Sequence, residues 1–149
     1  MNRIPSLARA RGFTLIEVTI AVAMAGVLSS VALPSFEGQL QRVRRTDALV
    51  AMMQIQSSQE RFRSNAMSYG NLSEIGAASV SPSRHYTLTT TANSGLGYEV
   101  LATASGTQAR DTACRVLKLS ALGGTLVQSS GADASTGNGD ATNRKCWLL

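Results

Sequence analysis

Glu17 is a lone carboxylate in a run of apolar side chains that otherwise extends from Phe13 to Leu33. A carboxylate at such depth costs on the order of 3 kcal/mol on membrane-insertion scales, so a cationic partner is expected to offset it. Arg3, Arg9 and Arg11 lie just upstream, and Gly12 separates them from the apolar run. Cleavage after Gly12 would remove that basic handle and create an α-amine on Phe13, a cation one helical turn from Glu17. Two unit charges about 4 Å apart attract by about 4 kcal/mol at an effective dielectric near 20, enough to balance the insertion cost. The other reading of Glu17 is an acid that stays protonated or reaches toward the membrane surface.

The element that must carry these groups is a helix. Phe13 to Leu33 is 21 residues, and at 1.5 Å per residue it would span about 31 Å, one bilayer core. The leader is not an ordinary secretory signal, in which a small-residue cleavage site follows the apolar core. Here residues 1–12 have no apolar core of their own, and the glycine precedes the apolar run.

Helical periodicity continues past Pro34. Phe36, Leu40, Val43, Val50 and Met53 recur at three- and four-residue steps, and Leu49, Met52, Ile55 and Phe62 widen the stripe. Gln54, Gln56, Gln59, Glu60 and Arg61 are placed on the opposite face. The expectation is one helix from about Thr14 to Asn65, kinked near Pro34, with the Met and Phe stripe in the core. Residues 67–85 read as an ordered loop anchored by Leu72, Ile75 and Val80. Alternating runs at 86–91, 98–103 and 115–120 predict strands, and Gly123-Gly124 predicts a hairpin into a fourth at 125–128. Together these give an α+β domain, a four-stranded antiparallel meander packed on the second half of the helix. Residues 129–143 carry no apolar side chain larger than Ala and are expected to form a loop.

The Gly12-Phe13-Thr14-Leu15-Ile16-Glu17 junction resembles the class III leader of type IV pilins, and Pro34 falls where many members of that family kink the helix. The resemblance implies a leader (1–12), a transmembrane and filament-core helix (13–34) and a periplasmic or extracellular globular domain (35–149). It implies cleavage after Gly12 and N-methylation of Phe13 by a prepilin peptidase. Glu17 would then meet the Phe13 amine of a neighbouring subunit in a helical filament. Implied partners are other pilin subunits, the peptidase, an inner-membrane assembly platform and, before assembly, membrane lipid. The segment Cys114 to Cys146, closed by Cys146-Trp147, resembles the disulfide-bounded loop of type IVa pilins, minor pilins in particular. A minor pilin supporting pilus biogenesis, adhesion, twitching motility or DNA uptake is the function this implies. Type II secretion pseudopilins share the leader, but they order the equivalent loop with calcium and lack the two cysteines.

Composition narrows the remaining classes. The formal net charge is +5, but Arg3, Arg9 and Arg11 leave with the leader, so eleven basic side chains face nine acidic ones. That balance alone is no nucleic-acid footprint. Arg110, Arg115, Lys118, Arg144 and Lys145 nevertheless lie close to the two cysteines in sequence, a candidate patch for a DNA-binding minor pilin. Arginines on both sides of the apolar run (Arg42, Arg44 and Arg45 follow it) leave the positive-inside count tied. If Cys114 and Cys146 pair, the bridge would contribute about 3.5–4 kcal/mol through chain entropy and would persist outside the cytosol; two buried thiols are the other reading. No cofactor, metal site or enzyme activity is expected. His85 lacks a nearby Cys or carboxylate in sequence, and Asp133 and Asp140 are too few for a calcium cage.

Overall fold

Thr14 starts the long helix in the manner its sequence allows. Its hydroxyl accepts the Glu17 amide at 3.3 Å and its carbonyl accepts the Val18 amide at 3.2 Å, so one orphan helix-end donor is met, the first intrahelical bond is closed, and Thr14 is the N-cap. In this computed structural model the described residues are 12–93 and 96–148, without the side chains of residues 32–35 and 93. Helix α1 runs over Leu15–Ala66. The leader residues 1–11 lie outside the described residues, and Pro34, where the kink is expected, falls among the undescribed side chains. The chain divides into two units, one ending at Glu37 and one running Gly38–Leu149.

In the first unit the helix turns its apolar side chains outward, with Phe13, Leu15, Ile16, Val22 and Val31 all more than 60 % exposed. Its hydroxyls turn inward: Thr19 donates to the Ile16 carbonyl, Ser29 to Ala25 and Ser30 to Val27, at 2.7–2.8 Å. Such back-bonding removes most of the cost of a hydroxyl in an apolar medium. Among the described residues no single helix is long and apolar enough to cross a membrane; Leu15–Val31 meets that test only together with Phe36–Ala66.

The second unit contains the rest of α1, strands β1 (Tyr86–Asn93), β2 (Gly97–Ala104), β3 (Val116–Leu122) and β4 (Thr125–Gly131), and a short helix α2 (Asp140–Cys146). The strands form one antiparallel sheet in the order β1-β2-β3-β4. Gly123 and Gly124 both have positive φ, which a two-residue hairpin of this twist requires. Gly97 is demanded by space, because a side chain there would run into the Ala121 carbonyl. Alternation puts Tyr86, Leu88, Tyr98, Val100, Ala102, Leu117 and Leu119 on the buried face. This is the α+β fold the sequence predicted.

Two expectations fail in detail. The helix face on the sheet is Ala48, Ala51, Met52, Ile55 and Gln59, all nearly inaccessible, whereas Phe36, Val43 and Met53 are about two-thirds exposed and Leu40 and Val50 partly so. The sequence holds two adjacent apolar stripes, and periodicity alone cannot say which one meets the sheet. Gln59, expected on the solvent face, is buried because both ends of its amide bond the Gly70 backbone, at 2.6 and 3.0 Å. The second failure concerns residues 129–143, expected to form a loop. Strand β4 continues to Gly131, and α2 begins at Asp140. Asp140 in its first turn and Arg144 and Lys145 in its last complement the helix dipole, the signal that could have revealed it.

Candidate functional site

Glu17 occupies the third position of α1, and Thr14-Leu15-Ile16-Glu17 is a capping-box spacing. The sequence reading missed this second role for the same four residues. Phe13 precedes the cap and Val18 follows Glu17, the two positions of a hydrophobic staple. Phe13, Glu17, Val18, Ala21, Val22 and Ala25 line an apolar depression of about 400 Å³ on the helix. Gly12, after which the cut is expected, is exposed, with nothing within 4 Å of where a Cβ would stand. Pro34, the other residue expected to act in assembly, lies outside the described side chains.

At the other end of the chain, Cys114 and Cys146 form a disulfide across a sequence separation of 32, and both are buried. Arg45 crosses to the same region. Its guanidinium grips Asp111 through two bonds of 2.6 and 2.9 Å and donates a third to the Lys145 carbonyl at 3.0 Å. A bidentate pair this deeply buried is strongly directional. Gln108, also buried, donates its amide to Asp111, to the Tyr86 hydroxyl and to the Gln41 carbonyl, at 3.1–3.2 Å. Burial, moderated by the Gln108 contact, pushes the Tyr86 phenol up to about 12. None of Arg45, Gln108 or Asp111 stood out in sequence. The one available cue was the third arginine of Arg42-Val43-Arg44-Arg45, on the helix face that also carries Ala48 and Met52.

A second polar cluster fastens the 67–85 loop. Asp47 accepts the Ser81 hydroxyl and the Ser83 and His85 amides. Burial pushes its pKa up, but these hydrogen bonds outweigh burial and hold it below the ordinary carboxylate value. Arg63 bonds the Tyr69 hydroxyl at 2.6 Å and lies 5.0 Å over its ring. Leu72 and Ile75 pack on the core as expected, while Val80 is 42 % exposed and joins the fold through a bridge to Thr87.

The five basic residues singled out in sequence do not all come together. The bridge draws Arg144 and Lys145 toward Arg110 and Arg115. Arg110, Arg144 and Lys145 are exposed, and the half-buried Arg115 donates to the Ala109 carbonyl at 3.1 Å. Lys118 alternates with Leu117 and Leu119 and so points off the opposite face of the sheet, 3.8 Å from Glu99. Strand parity, not sequence distance, separates it from the others. Asp133 accepts from the Ser135 amide and hydroxyl, which hold its pKa below the ordinary value despite the opposing effect of desolvation. Asp140 opens α2.

Two family models match the chain. The one described as "Type IV minor pilin ComP, DNA uptake sequence receptor" covers residues 34–118. The prokaryotic N-terminal methylation motif covers residues 7–33. The type IV major pilin protein PilA of Myxococcus xanthus is 32 % identical over 106 residues, which is 70 % of this chain and 43 % of that protein. The chain therefore spans less than half the length of this curated relative.

Proposed function

The chain belongs to the type IV minor pilin ComP family, whose model matches more than half of it, and we propose that it is a pilus subunit that assembles through Phe13 and Glu17. A prepilin peptidase cuts after Gly12 and methylates the Phe13 amine. The apolar segment 13–34 holds the subunit in the inner membrane with the globular unit on the periplasmic side. An assembly platform then delivers it into a filament, where Glu17 meets the Phe13 amine of a neighbour. The observation that carries this reading is the outward-facing apolar helix in which the Thr19, Ser29 and Ser30 hydroxyls are satisfied internally and Glu17 is the one carboxyl among residues 13–31. The exposed second stripe of Val43, Val50 and Met53 supports it, because in a filament it has neighbouring helices to pack on. Intact-mass measurement of the chain recovered from membranes tests the first step. The expected product begins at a monomethylated Phe13; retention of residues 1–12, or a start elsewhere, would remove the amine the mechanism requires. A pseudopilin of type II secretion is disfavoured by the disulfide.

A second reading, that the subunit binds DNA, is favoured by the matched family, that of a DNA uptake sequence receptor, and by the exposed Arg110, Arg144 and Lys145. Three phosphate contacts predict that affinity of the detergent-solubilised chain for duplex DNA falls roughly 40-fold between about 50 and 200 mM salt. Absence of binding at low salt would dispose of this reading and leave the first intact.

A further inference from the structure

Most of the chain's cations after the leader gather at one end of the globular unit. On α1, Arg42, Arg44 and Arg45 come first, and Arg44 donates to the Thr107 hydroxyl at 2.9 Å. Arg45 reaches Asp111 and the Lys145 carbonyl. The start of α1 in this unit therefore lies against residues 105–115 and α2. Arg84 joins them, since its carbonyl accepts the Ser105 hydroxyl at 3.1 Å. The disulfide adds Arg144 and Lys145 beside Arg110 and Arg115. The far end of the sheet, with the β1–β2 connection and the Gly123-Gly124 turn, carries no Lys or Arg.

Little of this charge is neutralised locally. Asp111 is committed to Arg45, Asp47 to Ser81, Ser83 and His85, and Asp140 opens α2. Arg42, Arg84, Arg110, Arg144 and Lys145 are exposed and in no ion pair among the described residues. Folding does not call for such a pole, because like charges so gathered repel. Its place along the chain identifies the partner. Arg42 follows Leu33 by nine residues, so the pole is at the end where the chain enters from the apolar segment. On a cytoplasmic face four to eight cations beside an apolar anchor are the usual footprint for anionic lipid, and the same attraction, about 1 kcal/mol per cation near the surface, acts at any leaflet that carries anionic phosphates.

We propose that this pole docks on the anionic phosphate headgroups of the bilayer that holds residues 13–34, keeping the unassembled subunit's globular unit on the membrane surface. The proposal rests on the reading of 13–34 as a membrane segment. It also gives Arg42 and Arg44 a task where the positive-inside count found only a tie. A nucleic acid offers the same phosphate chemistry, but nothing about the chain's entry point would select it.

The test is hydrogen exchange of the full mature chain in nanodiscs of phosphatidylcholine, alone or mixed with phosphatidylglycerol. Amides of 105–115 and 140–146 are expected to exchange more slowly in the anionic discs only, with high salt abolishing the difference. Each of Arg110→Gln, Arg144→Gln and Lys145→Gln is expected to lower the protection about fivefold, with exchange in neutral discs unchanged as the control for folding. Equal exchange in the two discs, or protection that survives the triple variant, would overturn the proposal. So would a triple variant that loses DNA binding yet keeps lipid protection, which would give these side chains to nucleic acid. Failure of the chain to enter either disc would instead strike the membrane reading, and the proposal with it.

Discussion

Leu15–Val31 and Gly38–Leu149 solve the same problem in opposite ways. In the first, apolar side chains point out and hydroxyls fold back onto the helix. In the second, apolar side chains point in, and the buried charge Arg45 is met by Asp111 and a main-chain carbonyl. A helix segment of the first kind has no core of its own, so its stability is lent by a bilayer or by neighbouring helices. A unit of the second kind closes its own core and adds a covalent bridge. Substitutions in the first should therefore change where the protein goes, and substitutions in the second whether it stays folded.

The sharpest break of that division is Asp111→Ala. It strands the buried Arg45 guanidinium and is expected to cost about 3–5 kcal/mol, read by denaturant unfolding of the mature chain in micelles, while membrane insertion is unchanged. Next is removal of the bridge by Cys114→Ser with Cys146→Ser, expected to cost about 3.5 kcal/mol and to free α2 first. An Asp111→Ala effect within the error of wild type would show that the network is not what closes this unit.

Smaller effects follow at Asp47 and Tyr98. The Asp47 carboxyl is held below its ordinary value of 3.8 by Ser81, Ser83 and His85. Its contribution is therefore present above about pH 4 and lost as pH falls through the lower folded value. Asp47→Asn should flatten that acid limb of the stability curve, and an unchanged limb would remove the assignment. The Tyr98 hydroxyl is buried without a partner among the described residues. Tyr98→Phe is expected to change stability by less than about 1 kcal/mol, in the stabilising direction. Tyr86→Phe, which removes one of the three acceptors around the Gln108 amide, should cost no more than about 1 kcal/mol.

The same division marks what could be read from sequence. The leader junction, the helix limits, the four strands and the glycine hairpin were all legible, because each is set by local pattern or by one residue's backbone freedom. Which apolar stripe of α1 meets the sheet was not, because Val50-Ala51-Met52-Met53 gives two faces equal claim and only the sheet chooses between them. Gln59 and Arg45 were unreadable for a related reason: a buried polar group is defined by partners 11 and 66 residues away. Helix α2 was within reach from its Asp-first, Arg-Lys-last charge order, but the polar run before it concealed the start. Lys118 was misgrouped because proximity in sequence ignores which way a strand turns each side chain.

Glu17 remains the pivot, since the structure sets this proposed assembly residue at a capping-box position as well. Comparing Glu17→Gln with Glu17→Ala separates the two roles, because Gln preserves the capping box but cannot pair with an amine. Quantifying each variant in sheared filaments against the membrane fraction is the most direct measurement. Both variants should enter the membrane normally and fall roughly tenfold or more in filaments, a loss of at least about 1.4 kcal/mol. Glu17→Gln entering filaments like wild type would show that helix capping, and not attraction to a neighbour's Phe13 amine, is what this carboxylate supplies.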